Sequence, residues 1–291
     1  MKKVFSVLLC AILFFSFSSA SFAAEGSIAR TVIGADLTED QISSVYQAFG
    51  IPRGSITELR MTSELEHKFL DGSVDSSVIG TRSVSCVYME LLPAGSGIHV
   101  TTTGNITYFS SEMYVSALST AGISDVNIIV DAPFEVSGTG ALAGIYYAYE
   151  DIRGAGISEQ AKSVSGQELA VTGELADTIG SLDAADIVSD IKNGLEEASS
   201  MSDDQLRELI TAVTKQYNVS LSSAQIDQLI TLCRSLLSLD EAGLLDRVQE
   251  IQGTIDKVSN AASGIASFFR TVKNIFSTVF EFFGKIKAAF Q

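Results

Sequence analysis

From Leu244 to Phe290 an apolar residue falls at every step of an alternating four-three spacing: Leu244, Val248, Ile251, Ile255, Val258, Ala262, Ile265, Phe269, Val272, Phe276, Val279, Phe283, Ile286 and Phe290. This spacing writes one continuous apolar seam on a helical surface. The seam must be buried against the chain's own core, a partner helix or a lipid surface. Its character changes along its length. Over residues 244–262 the flanking positions are mostly polar (Arg247, Gln252, Thr254, Ser259), which describes a narrow, coiled-coil-like zipper. Over residues 265–290, Phe268, Ile275, Phe280 and Phe282 widen the stripe to nearly half the circumference. The stretch Ser259–Gly264 between them is a weak helix former, so two helices or one kinked helix are expected rather than a straight rod.

The last segment is also basic. Arg270, Lys273, Lys285 and Lys287 stand against Glu281, a net charge of +3, in a chain whose total is −16. An interaction face is therefore expected on Phe268, Phe269, Val272, Ile275, Phe276, Val279, Phe280, Phe283, Ile286 and Phe290. Three occupants fit it: the protein's own helical core, an anionic membrane surface, or a second copy in a homo-oligomer.

The opposite end reads as an export signal. Lys2 and Lys3 precede an apolar run from Val4 to Phe17, and small residues at Ser21, Ala23 and Ala24 offer a cleavage point. The run is too short for an ordinary membrane-spanning helix. Removal of residues 1–24 takes away two lysines and no acids, so the net charge moves from −16 to −18. Such an acidic surface argues against nucleic acid as a partner. The expected location is secreted, extracellular or associated with the cell envelope. Only Cys86 and Cys233 remain after cleavage, too few for a disulfide framework. They read as two separately buried thiols, with a disulfide between them as the other option.

Between these ends the chain changes grammar once. Residues 25–153 mix strand and helix signals. Ile28–Ala35 reads as a strand. Thr38 then caps a helix carrying Ile42, Val45, Tyr46 and Phe49, which ends at Gly50. Residues 56–61 alternate as a strand should, and residues 63–70 form a short helix. Residues 83–92 and 98–106 read as two strands joined, hairpin-like, through Pro93–Gly97. A helix capped by Ser110 or Ser111 runs to Gly122, residues 126–130 form a buried strand, and residues 138–150 a last helix. The segment LTEDQISSVYQAFGI is echoed by FSSEMYVSALSTAGI. Either two related αβ units or convergent capping chemistry explains the echo.

After Arg153 strand signals stop and no proline occurs. Gly154–Gly156 is a plausible hinge. Helical periodicity returns in Leu182, Ile187, Ile191 and Leu195, then in Leu206, Ile210, Val213 and Tyr217, then in Ile226, Leu229, Cys233 and Leu236. The expected fold is an α+β domain, a mixed sheet with packed helices, over residues 25–153. An all-α helical bundle over 154–264 and the basic amphipathic helix over 265–291 follow it.

Candidate chemistry is sparse. Gly138-Thr139-Gly140 opens a helix after a strand and could cradle an anion on backbone N–H groups. The next glycine, Gly144, is one place late for a dinucleotide fingerprint, and no Lys-Ser or Lys-Thr follows. A Ser/Thr-capped helix packed on the sheet is the plainer reading. Glu64, Glu66 and His67 bring a histidine beside carboxylates, for which a solvated helix face with a local ion pair to Lys68 or Arg60 is the plainer reading. His99 is the other histidine, and no HExxH or paired CxxC exists, so neither metal nor cofactor is expected. A Ser-His-acid hydrolase would lack a Gly-x-Ser-x-Gly elbow.

Several separated motifs keep a recognisable order: Gly34-Ala35-Asp36-Leu37-Thr38, Glu66-His67-Lys68, Ile79-Gly80-Thr81-Arg82, Thr120-Ala121-Gly122-Ile123, Ala132–Thr139 and Ala148-Tyr149-Glu150. In these the chain resembles the YpuA-like exported proteins of Gram-positive bacteria, a domain of unknown function (family 1002). The match runs through residues 30–153 and continues more loosely beyond. The resemblance implies export and no assigned activity. Relatives tend to read Ser-Gly-Thr-Ala-Ala-Leu where this chain has Ser137–Leu142, so Gly140 looks incidental.

The function expected from the sequence is an exported, non-enzymatic binding or scaffold protein, with an unidentified protein or a membrane surface as the partner of its C-terminal helix. One rival is an exported hydrolase with a cleft between the halves, using Ser137, His67, Glu64 and Glu66. Another is a peripheral membrane protein held by the C-terminal helix.

Overall fold

The computed structural model describes residues 28–195, 200–239 and 243. The export signal, the apolar seam and the interaction face expected at residues 268–290 lie outside the described residues.

Five strands form one mixed sheet: β1 (Ala29–Gly34), β2 (Thr57–Met61), β3 (Cys86–Leu91), β4 (Ile98–Thr102) and β5 (Val126–Asp131). Their spatial order is β2-β1-β3-β5-β4. The β1/β2 and β4/β5 pairs are parallel, and the central β3 is antiparallel to both its neighbours. Four strands therefore point one way, with β3 reversed among them. The hairpin expected between residues 83–92 and 98–106 does not form. β3 and β4 are separated by β5, which fills the gap only after the helix α4 (Ser111–Thr120) has carried the chain back. The six-residue link between them is compatible with a hairpin, but β4 satisfies its ladder in parallel with β5 instead.

Side chains alternate between the two faces of the sheet. On one face Thr31, Ile33, Cys86, Tyr88 and Ile129 meet, among the described residues, one helix, α1 (Glu39–Phe49), through Ile42, Val45, Tyr46 and Phe49. On the other, Val32, Val87, Met89, Ile128 and Val130 meet α4, α2 (Ser63–Leu70) and α5 (Thr139–Arg153). A short helix, α3 (Ser76–Ile79), joins them; the sequence pattern did not reveal it.

The echo between the two αβ segments is real as local code. Thr38 and Ser110 accept from the third residue of α1 and α4 respectively. Both helices end in the same two bonds, Gly50 N to Gln47 O with Ile51 N to Tyr46 O, and Gly122 N to Ser119 O with Ile123 N to Leu118 O. Their placement differs. Both crossovers step in the same direction between strands that point the same way, yet α1 and α4 lie on opposite faces. The two crossovers therefore have opposite hands, although the right-handed form dominates generally. Shared capping chemistry accounts for the likeness without a copied βαβ unit.

Beyond Gly154 come α6 (Glu159–Ile179), α7 (Ser181–Asn193), α8 (Asp203–Gln216) and α9 (Ser223–Leu237). Ser202 and Ser222 build capping boxes with Gln205 and Gln225, as their sequence positions suggest. These helices share one apolar cluster with α4, α5 and the sheet. A buried ion pair crosses the junction. Glu168 of α6 accepts from Ser116 and Thr120 of α4, each at 2.5 Å, and from Lys192 of α7 at 2.9 Å. Lys192 Nζ also donates to the Ser116 carbonyl at 2.9 Å. Both charged side chains are essentially sealed from solvent, at 3% and 1% exposure. Cys86 and Cys233 are buried and free, and burial pushes each thiol up to about 12.

Removing one partner of a sealed pair leaves an uncompensated charge, a loss of about 3–5 kcal/mol. Lys192→Met should lower the stability measured by urea unfolding by that order, whereas the double variant Lys192→Met with Glu168→Leu should recover a large part of it. Equal losses in the single and double variants would show that the helices dock without help from the pair.

Candidate functional site

The carboxyl ends of β1, β2, β4 and β5 lie together, the edge of an open αβ sheet where ligands generally bind. Four of the separated sequence motifs converge there. The convergence starts with a backbone approach. A Cβ on Gly34 would sit 2.4 Å from the Ser83 carbonyl oxygen and 2.8 Å from the Val84 Cα, so only glycine fits at the end of β1. Ser83 is fully buried, and each of its polar groups is used. Its N–H donates to Asp36 Oδ2 at 2.7 Å, its carbonyl accepts from the Asp36 N–H at 3.2 Å, and its hydroxyl donates to Glu66 Oε1 at 2.6 Å.

Glu66 is 1% exposed, which corrects the expectation of a solvated helix face. Arg60, one of its anticipated partners, pairs with Glu58 instead. Helical spacing hid this, because Glu64 and Glu66 point to different sides of α2: Glu64 is exposed while Glu66 turns inward. The Glu66 carboxyl group lies over the first turn of α5. A Cβ on Gly140 would sit 2.5 Å from its Oε1 and 2.8 Å from its Cδ. Gly140 is thus not incidental in this chain, since its missing side chain leaves room for the carboxyl group. The space beside Gly140, where a bound anion is the less favoured reading of the sequence, is filled by the protein's own Glu66 carboxyl group. The helix has no side-chain cap at its N-cap residue, Gly138; Ser137 Oγ accepts from the Thr139 N–H at 3.4 Å. Burial, with the charge of Asp36 adding to it, raises the Glu66 pKa to about 7, against the lowering effect of Ser83 and His67.

His67, the next residue, faces the loop before Ser83. Its Nδ1 is 2.9 Å from Asp71 Oδ1 and its Nε2 is 3.0 Å from the Gly80 carbonyl oxygen. A carbonyl oxygen and a carboxylate only accept, so both ring nitrogens must carry protons for both bonds to form. The Asp71 bond, then the Gly80 bond, hold the imidazole pKa above its ordinary value.

On the other flank, the loops after β4 and β5 zip together. Val136 N donates to Asn105 O, Thr107 N to Val136 O, and Asn105 Nδ2 to Ala132 O. Tyr114, fully buried, donates to the Gly138 carbonyl at 2.7 Å. Phe134 stands out of this loop pair at 38% exposure. Glu135 and Ser137 on this loop, and Thr81 and Arg82 on the loop before Ser83, are also exposed.

The hydrolase set is not assembled. No hydrogen bond joins Ser137 to His67, both His67 nitrogens lie against acceptor oxygens, and Ser137 Oγ contacts Thr139 Oγ1 at 3.2 Å. His99 bonds the Ser96 carbonyl at 2.8 Å on the far side of the sheet edge. Among the described residues no cluster of three His, Cys, Asp or Glu side chains is placed to hold a metal. Sequence reasoning missed Asp36 and Ser83 as members of the cluster. The signal for them was present, because both lie in or next to the motifs Gly34–Thr38 and Ile79–Arg82.

The molecule is a mixed α+β protein with a five-stranded sheet and packed helices. The chain belongs to the family described as "Protein of unknown function (DUF1002)", matched over residues 33–262. It is similar to "Uncharacterized protein YpuA" of Bacillus subtilis (strain 168), with 33% identity over 297 residues, spanning 97% of this chain and 100% of that protein. No solved structure matches the chain.

Two substitutions test the site's construction. Gly34→Ala drives a methyl group into backbone that cannot swing aside and should cost about 2–3 kcal/mol in denaturant unfolding or block folding. Glu66→Gln probes the sign of the pH dependence. A carboxyl pKa raised from 4.5 to about 7 gives stability that is complete below 4.5 and is lost as pH rises through 7. Glu66→Gln should therefore raise stability by about 1–3 kcal/mol near pH 8 and change it little near pH 5. A Gln variant that is weaker at both pH values would mean that the carboxylate is bound in its charged form.

Proposed function

We propose that this chain is an exported protein of the cell envelope or extracellular space that binds a partner through the loops at the carboxyl end of its sheet. The supporting observation is how the ionisable groups there are used. Glu66, Asp36 and His67 are spent on internal hydrogen bonds that fix the loops. What faces outward is an apolar anchor, Phe134, with the exposed Glu135 next to it in sequence, while Thr81 and Arg82 are exposed on the loop before Ser83. A rigidly held loop surface with an aromatic tip suits recognition. A nucleophilic centre would need a free base, and the histidine beside Glu66 donates from both nitrogens. The helices from Glu159 onward, continued by the seam of residues 244–290, would form a bundle acting as a second interaction element.

The test places a photoreactive phenylalanine analogue at position 134 of the full chain in living cells, with position 47 on the exposed side of α1 as control. A discrete cross-linked species from position 134 and none from position 47 is expected. No adduct at 134, or the same adducts at both positions, would remove the support for this surface.

A further inference from the structure

Residues 71–83 connect α2 to β3 across the carboxyl end of the sheet. Gly72 and Gly80 both have positive φ, 85° and 83°, with open space around the position of a Cβ, so each marks a glycine-made bend that can serve as a pivot. Between them Val74 and Ile79 are buried, and Ser73 lies against Gly166 of α6, where a Cβ would sit 2.6 Å from its Oγ. Beyond the second pivot Ser83 is pinned by Asp36 and Glu66. One side chain joins the two pivots. His67 bonds Asp71, next to the first, and the Gly80 carbonyl, at the second.

We infer that residues 71–83 form a strap clasped at both ends by the His67 imidazolium, and that the strap loosens when this ring loses its proton. The chemistry is that of a doubly donating ring. A neutral imidazole keeps one N–H. It can hold Gly80 or Asp71, and the other nitrogen then turns a lone pair toward an oxygen. The bond to Gly80 favours the Nε2–H form, which leaves a bare Nδ1 facing the Asp71 carboxylate. Release at one pivot removes the clasp at that end, so the segment from Gly72 to Arg82 is held by buried Val74 and Ile79 and its local backbone bonds, while Ser83 stays anchored through Asp36.

The charges around the clasp favour the closed form at neutral pH. On α2 they are Glu64, Glu66 and Lys68; on the strap, Asp71, Asp75 and Arg82; on the β1–α1 loop, Asp36. The first turn of α5 contributes none. On α6, Lys162 lies over the Phe69 ring and is neutralised by Glu150 and Glu159. Acids outnumber bases, so the imidazolium is retained to higher pH than a free histidine, in line with the raised pKa. Ionisation of Glu66 beside Asp36 adds repulsion on the same side as pH rises. The inference rests on the strap alone and stands whether or not the loops bind a partner.

Hydrogen exchange of the full chain, corrected for intrinsic rates, reads the strap directly. Between about pH 6 and about pH 9, protection of residues 72–82 should fall about tenfold relative to β3 and β5 in the wild type. His67→Gln cannot titrate and should show low protection that does not change with pH, whereas Glu66→Gln should keep the fall. A fall that persists in His67→Gln, or is absent from the wild type, overturns the clasp. Nitrogen NMR of the His67 ring in the unaltered protein gives an independent check. Two protonated ring nitrogens near pH 6 are expected; a single neutral tautomer there also overturns it.

Discussion

The carboxyl end of this sheet depends on a contact between two stretches of backbone, Ser83 against Gly34. Their spacing leaves no room for a Cβ on Gly34, so the approach is fixed by main-chain atoms rather than by adjustable side chains. Its consequences spread in both directions. It aims the Ser83 hydroxyl at Glu66, which brings α2 and the first turn of α5 into register. It also delivers the chain into β3 beside β1, so the reversed strand can occupy the centre of the sheet. A larger residue at position 34 would disturb the site and the sheet together.

Two buried glutamates show how differently one charge can be accommodated. Glu168 keeps a full cation, Lys192, and two hydroxyl donors, so both its oxygens are satisfied in charged form. The desolvation cost is offset by strong bonds, and the reward is a specific docking of α6 and α7 on α4. Glu66 has one hydroxyl donor, a helix terminus and a nearby acid. Burial wins over the partial charges of the helix end, and the neutral acid is favoured up to about pH 7. The first arrangement is a fixed joint; the second responds to the solvent.

Local structure was legible in the residues wherever it rests on local bonds. The caps at Thr38, Ser110, Ser202 and Ser222 and the stop at Gly50 sit where their residue types place them. α6 was illegible for a physical reason. Its inward face carries Lys162, Ser165, Glu168 and Thr172, with Gly166 and Gly173 pressed against Ser73 and against Tyr108 and Phe109. Polar and small residues bury there because partners on other elements satisfy or fill them, and no periodicity of apolar residues announces that. The inward turn of Glu66 was invisible for the same reason: its partner lies seventeen residues away, in the segment before β3.

Strand order was the other failure, and it bears on how such a chain should be read. Adjacent strands in sequence with a glycine-containing link suggest a hairpin, yet the partner of β4 is a strand formed later. The likeness between the α1 and α4 segments is equally local, since the same cap and stop codes serve helices on opposite faces. Cap chemistry decides where a helix begins and ends; the face it covers is decided by which apolar side of a strand remains open. The motifs at Gly34–Thr38, Glu66–Lys68, Ile79–Arg82 and Ala132–Thr139 are far apart in sequence, yet they meet at one edge, where each contributes a group that another needs: a bare backbone, a buried acid, a pivot and a helix start.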